Sequence, residues 1–411
     1  MTEVMKKRVP ARIRRNRVIA LLITLGVLTL VYVVSIALTP VPPFALTQVA
    51  GFEKTFTVDA SDIAWPEEPA AIGVWGGETV LANDESGPVA MASLVKLICA
   101  VVSLEVKPFE DTLDETYVLG PRDSAHIATA LASNGIIAPV SEGTELSRYQ
   151  MLELMLLPSA NNYALSYVDW IFGSNEVFVS ETRKFLERYQ LDSITVVEPT
   201  GLSLENTGSA ADLARFGQLA LDYPVLAEIM AKKSADIPGV GVITSTNPLQ
   251  DDAGVRGMKT GTTTVGRNLM LAQDFTVGSR TVTGVVVTLN QQSAEARIEA
   301  TRALAASIAA NTQNISVVSD GEPVATARSW SGAQLPLVAA GQTGQVLTIT
   351  ETAVRTVKLN TVTAGMDAGT PVGTITVTSP AETSTISVLL AESAPIPSLW
   401  WKLTHPVELW R

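Results

Sequence analysis

Apolar residues change their spacing several times along the chain, and each change predicts a different element. Val18 to Leu38 is predominantly apolar and carries no charge over 21 residues. At a helical rise of about 1.5 Å per residue it covers a hydrocarbon core of roughly 30 Å, so one membrane-crossing helix is expected there. Pro40, Pro42 and Pro43 follow, and 39–60 reads as a stiff linker. Ile72 to Trp75 and Thr79 to Ala82 flank Gly76-Gly77, the pattern of a hairpin. From Ala90 the pattern turns helical. Leu94, Val95, Leu97, Ile98, Val101, Val102 and Leu104 are apolar on all sides, which predicts a buried helix.

Ser147 with Gln150 fits a capping box opening a helix that stops at Pro158. A further helix is expected from Asn161, and Ser209 with Asp212 suggests another capping box, followed by the stripe Leu213, Phe216, Leu219 and Ala220. After Asn247-Pro248 three strands are predicted, Val255 to Thr260, Asn268 to Asp274 and Arg280 to Leu289, and then an alanine-rich helix from Ser293 to Ala310. The early hairpin and the late strands should share one sheet, because the closing helix needs a face to cover. From Ile315 the composition shifts to Thr, Val and Gly. Period-two alternation over Val346–Thr350, Val357–Thr361, Val372–Val377 and Thr385–Leu390 predicts a small all-β unit. The expected organisation is therefore 1–17 basic segment, 18–38 membrane helix, 39–60 linker, 61–312 α+β unit, 313–395 β-rich unit and 396–411 aromatic tail.

Charge adds orientation. Residues 1–17 hold seven basic side chains against one acidic, whereas the rest hold 22 basic and 40 acidic. The basic end should stay cytoplasmic and everything after Leu38 should lie outside. A cleaved leader, cut near Ser35-Ile36-Ala37, is the alternative. The acidic body repels phosphate backbones, so nucleic acid is not an expected partner. Cys99, the single cysteine, lies in an apolar run and reads as a small core residue. Only two histidines, His126 and His405, are present. They offer no metal-ligand spacing and leave any reactive serine in need of another base.

Three short motifs can supply that chemistry. Ser93 and Lys96, at i and i+3, share one face of the buried helix. A hydroxyl is a weak nucleophile until a base takes its proton, and burial favours the neutral amine of a lysine. Ser159-Ala160-Asn161 is a polar turn between two apolar helices, able to aim a hydroxyl and an amide into a cleft. Lys259-Thr260-Gly261-Thr262 ends a strand, where a cation, a hydroxyl and a bare backbone suit a peptide carboxylate. Each motif alone is equally a helix cap with a surface lysine, an interhelical turn, or a strand-end turn.

In this order, on helix start, turn and strand, the three motifs resemble those of penicillin-binding proteins and class A β-lactamases. Met91-Ala92-Ser93, Leu156 to Asn162, Pro199 to Leu202 and Gly257 to Gly261 look closest to the low-molecular-mass D-alanyl-D-alanine carboxypeptidases. The resemblance covers roughly 61–312. It implies a five-stranded antiparallel sheet with helices in a β-lactamase/transpeptidase-like domain. It implies Ser93 as nucleophile, Lys96 as its base, Ser159 and Lys259 as a proton relay, and Asn161 as a holder of Lys96. Thr260, Gly261 and Thr262 would bind substrate, with backbone N–H groups of Ser93 and Thr262 at the oxyanion. The expected partners are the peptidoglycan stem peptide, β-lactams and the membrane, with no metal or cofactor and a monomeric chain. A β-lactamase and a silent peptidoglycan binder are the competing readings.

Two departures bear on this. The family often has Asn where this chain has Glu198, which reads as a structural carboxylate but leaves deacylation open. Arg256 and Arg267 flank the Lys259 strand and are candidates for carboxylate binding or plain solvated charges. The tail, with Trp400, Trp401 and Trp410 beside Lys402 and Arg411, resembles the amphipathic end that several relatives lay on the membrane; packing against the β-rich unit is the alternative.

Overall fold

The computed structural model describes residues 11–58, 62–83, 87–109, 115–278 and 280–410; Lys6, Lys7 and Arg8 of the basic segment and Arg411 of the tail lie outside these. Five antiparallel strands form the central sheet, in the order Val255–Thr262, Arg267–Val277, Arg280–Gln291, Ala70–Val74, Val80–Ala82. Early hairpin and late strands thus meet in one sheet. Successive side chains in a strand point to opposite faces. Met270, Ala272, Val285 and Val287 enter the larger core with the buried helix Val95–Val106, whereas Leu269, Leu271, Val282 and Val286 meet Leu304 and Ile308 of the closing helix Ala294–Ala310. Both faces are covered, which is why these strands read as apolar runs.

Helix starts follow their capping residues. Ser147 Oγ accepts from Gln150 N–H at 3.2 Å and Gln150 returns the bond to Ser147 N–H at 2.9 Å, opening Arg148–Leu156. Ser209 Oγ likewise accepts from Asp212 N–H at 3.1 Å. The Asp212 carboxylate does not complete the expected box; it accepts from Ser193 N–H at 2.9 Å instead, tying a preceding loop to the helix.

The β-rich part holds a seven-stranded antiparallel sheet and a separate pair, Gln313–Val318 with Thr343–Leu347, and here two expectations are corrected. The 39–60 segment is not a bare linker. Ala45–Gln48 pairs with Pro323–Arg328 at one edge and Lys54–Thr57 pairs with Thr352–Leu359 at the other. Phe44, Phe52 and Val58 are buried in this core. Strands of four residues show too little alternation to be seen, and their partners lie far away in sequence. Gln313–Val318, Pro323–Arg328 and Gln334–Ala339 were also not foreseen. The strand expected at Val346–Thr350 is Thr343–Leu347, followed by a turn that Glu351 closes by accepting from Thr348 N–H at 3.1 Å. Glu351 is buried and also binds Arg280 of the central sheet bidentately, at 2.6 and 2.7 Å, tying the two parts together.

Ala11–Leu38 is one helix with most of its apolar side chains exposed, long and apolar enough to cross a membrane. Its last turns meet the aromatic tail: Tyr32 Oη donates to Leu403 O at 2.9 Å and Lys402 Nζ to Thr39 O at 2.7 Å. Trp401 packs on Trp330 with ring centres 4.7 Å apart, while Trp400 and Trp410 stay exposed. The tail therefore packs on the β-rich part and on the helix exit together.

Candidate active site

The three motifs converge on one cleft of about 200 Å³, lined by Ser93, Ser159, Asn161, Thr260, Gly261, Thr262, Thr246, Arg297 and the loops around Gly135 and Gly201. Ser93 lies in the 3₁₀ turn Ala92–Leu94 that leads into Val95–Val106. Ala92 is held at φ +53°, a conformation that costs a non-glycine residue about 1 kcal/mol or more. Strain of this kind presents Ser93 at the mouth of the cleft with Lys96 directly behind it.

Lys96 is fully buried, and its Nζ meets three oxygens: Ser93 Oγ at 2.9 Å, Asn161 Oδ1 at 2.6 Å and Thr200 O at 2.5 Å. Burial is the main cause that lowers its pKa to about 7, with the Glu198 charge opposing. At neutral pH a large fraction of the amine therefore lacks its third proton and can accept one from the adjacent hydroxyl. Lys259 is buried on the edge strand and its pKa is pushed well down, first by burial and then by the Lys96 and Arg297 charges. Its Nζ donates to Thr260 O at 3.1 Å. Ser159 takes φ +63°, and its buried Oγ finds no partner among the described residues, which leaves its donor for an incoming group.

Gly261 is required by close approach: a Cβ there would lie 2.9 Å from both Ala92 Cβ and Met91 O. Asn268, on the neighbouring strand, donates to Ala90 O at 2.9 Å and fixes the same contact. Thr260 Oγ1 shares a 2.6 Å hydrogen bond with Thr246 Oγ1. Val255–Thr262 is the edge of the sheet; Met230 covers it at Gly257, and its Thr260–Thr262 end lines the cleft, where an extended peptide can lie against it.

The expected arginines are elsewhere. Arg256 packs over the Trp75 ring and faces Asp274 at 3.8 Å, and Arg267 donates to Gln292 O at 3.2 Å; neither lines the cleft. The cation that does line it is Arg297, buried to 8% exposure, with Nε unpartnered and no ion pair among the described residues. The sequence carried a signal for it. Arg297 falls in register with the buried stripe Thr301, Leu304, Ala305 and Ile308, and is the basic residue on that apolar face. Glu198 does not face the cleft; its carboxylate is enclosed by donors of its own loop.

The chain is similar in sequence and fold to known proteins. The 30%-identical D-alanyl-D-alanine endopeptidase of Pseudomonas aeruginosa matches over 152 residues, 37% of this chain and 46% of that protein. The D-alanyl-D-alanine endopeptidase of Escherichia coli is 26% identical over 47% of this chain and 60% of its own length, so the chain spans only about half the length of these two relatives. The carboxypeptidase DacD of Escherichia coli is 25% identical over 66% of this chain and 72% of its own. Among solved structures, penicillin binding protein 6B from Escherichia coli (19% identity, TM-score 0.58) covers 81% of this chain and 99% of its own, and penicillin binding protein 5 from Haemophilus influenzae (18%, 0.56) covers 82% and 100%. They share the fold, both the five-stranded unit and the β-rich part. A family model for D-alanyl-D-alanine carboxypeptidases matches residues 71–292, from the first strand of the central sheet to the start of its closing helix, and the chain belongs to that family.

Proposed function

We propose that the chain is a serine D-alanyl-D-alanine carboxypeptidase that works through an acyl-enzyme on Ser93. The observation that carries this is the buried Lys96 amine, its pKa lowered to about 7 by burial, 2.9 Å from Ser93 Oγ. Lys96 takes the Ser93 proton as Oγ attacks the penultimate D-alanine carbonyl. Backbone N–H groups of Ser93 and Thr262 receive the oxyanion. Collapse breaks the C–N bond, and Ser159, with Lys259 beside it, passes a proton to the departing D-alanine amine. Water then cleaves the ester and restores Ser93. A β-lactam offers the same carbonyl and acylates Ser93. The helix Ala11–Leu38 anchors the chain, with the site on the outer side by the positive-inside rule.

The test is intact mass of the full-length protein with benzylpenicillin, beside Ser93→Ala. A one-to-one adduct that lasts minutes and is missing in the mutant is the expected result. An adduct that vanishes as penicillin is consumed identifies a β-lactamase; no adduct and no turnover in folded protein leaves a peptidoglycan binder.

Arg297 supports the carboxypeptidase reading over the endopeptidase activity named for two relatives. A buried guanidinium, without an ion pair among the described residues and lining the cleft with Thr260 and Thr246, asks for a free carboxylate. A peptide acid ending in D-Ala-D-Ala should be cleaved much faster than its C-terminal amide. Arg297→Gln should lose roughly 10- to 100-fold in kcat/KM on the acid, the worth of one charge-assisted hydrogen bond, and little on the amide. Equal rates on acid and amide in the wild type would favour the endopeptidase.

A further inference from the structure

We propose that Glu198 is a positioning residue for acylation: its carboxylate gathers the 200–206 loop and thereby fixes the Thr200 carbonyl against Lys96. The inference rests on the acyl-enzyme reading above. Glu198 Oε2 accepts from Thr200 N–H at 2.7 Å and Thr200 Oγ1 at 2.5 Å. Oε1 accepts from Gly201 N–H at 2.7 Å, Asn206 Nδ2 at 2.5 Å and Ser203 N–H at 3.3 Å. Three backbone and two side-chain donors close on one group, the arrangement of an anion nest. Only an acceptor-only carboxylate satisfies them all; an amide would turn N–H groups toward donors.

The held loop has two contacts with the reacting groups. Thr200 O accepts from Lys96 Nζ at 2.5 Å and from Ser93 Oγ at 3.4 Å. A neutral amine has two hydrogens and one lone pair. Asn161 Oδ1 and Thr200 O take the two hydrogens, which leaves the lone pair for the Ser93 hydroxyl. Asn161 is held from its own helix, whose first N–H donates to Ile136 O at 2.7 Å. Thr200 lies in a loop, and Glu198 accepts from both its N–H and its Oγ1. With the Thr200 carbonyl displaced, the lone pair is no longer aimed and the amine is a poorer base.

The carboxylate also acts through its charge. Around Lys96 stand Glu198 from this loop, Lys259 from the edge strand, Asn161 from the following helix and the Cys99 thiol one turn on. Burial opposes the protonated amine, and the Glu198 charge favours it. Loss of the Glu198 charge therefore moves the Lys96 pKa further down from about 7.

The experiment is the pH profile of acylation by benzylpenicillin in the full-length protein, wild type against Glu198→Gln and Glu198→Asp. In Glu198→Gln the acid limb should move down by about one unit, and the plateau rate should fall roughly 10- to 100-fold. Glu198→Asp keeps the charge but shortens the reach; its limb should stay in place while its plateau falls. An unmoved limb with a rate within about threefold of wild type in Glu198→Gln overturns the proposal. So does a reduced adduct amplitude with an unmoved limb, the mark of a loop that only supports folding. The Lys96 titration, followed by carbon-13 NMR of lysine-labelled protein, needs no adduct. A lower midpoint in Glu198→Gln upholds the coupling even if wild type fails to acylate, whereas an unmoved midpoint overturns it.

Discussion

Lys96→Met is expected to slow acylation of Ser93 by benzylpenicillin about 10³-fold, the range spanned by a positioned general base. The substitution keeps the length and apolar stem of the side chain and removes the amine that meets Ser93 Oγ at 2.9 Å. It should also remove the acid limb. In the wild type the amine is neutral above about pH 7 and protonated below, so the rate falls about tenfold for each unit below that point. The variant has no such group and its residual rate should be flat there. Stability gives a second signature. The unfolded chain holds the Lys96 proton up to its ordinary pKa of 10.5, whereas the folded chain releases it near 7. Between those values the unfolded state binds more protons, so wild-type stability rises with pH. Lys259, also pushed well down by burial, adds to the same slope. Lys96→Met should reduce that slope without abolishing it, as measured by denaturant unfolding at a series of pH values. A variant that acylates within about tenfold of wild type would exclude Lys96 as the base.

Ser93 and Lys96 can be placed side by side from sequence because their spacing is local. One helical turn fixes them on the same face whatever the tertiary structure does, and an all-apolar helix predicts the burial that lowers the lysine pKa. Ser159, Asn161 and the Lys259 strand could be placed on a turn and an edge, but not in one cleft, until the sheet order was known. Arg297 was overlooked for a related reason. It lies 38 positions after Lys259 on a helix covering the opposite face of the sheet, and only the fold brings its guanidinium over the sheet edge to the cleft. The Thr200 carbonyl was invisible outright, because a backbone oxygen leaves no trace in residue type. The edge strands Ala45–Gln48 and Lys54–Thr57 pair with residues some 280 to 300 positions away, and proline-rich neighbours disguised them as spacer.

Gly201→Ala should abolish acylation while leaving the rest of the fold in place. Gly201 has φ +80°, and a Cβ built on it would lie 2.2 Å from Ala92 O, 2.3 Å from Ala92 C and 2.6 Å from Ser93 N. These are backbone atoms of the strained turn that carries Ser93, so no side chain can swing aside to make room. Either the 200–206 loop retreats, taking the Thr200 carbonyl away from Lys96, or the Ala92–Ser93 peptide rotates and spoils the N–H proposed to receive the oxyanion. Loss of one oxyanion donor alone costs about 10²- to 10³-fold, and loss of the aimed base multiplies that. Gly143→Ala separates backbone strain from this clash. It has φ +84° with open space around it, so it pays the same penalty of about 1 kcal/mol for a left-handed alanine and nothing more. Both variants should therefore melt a few degrees lower, yet only Gly201→Ala should lose the penicilloyl adduct. If both keep the adduct at wild-type rates, the contact between the 200–206 loop and the Ser93 turn is not part of the acylation machinery.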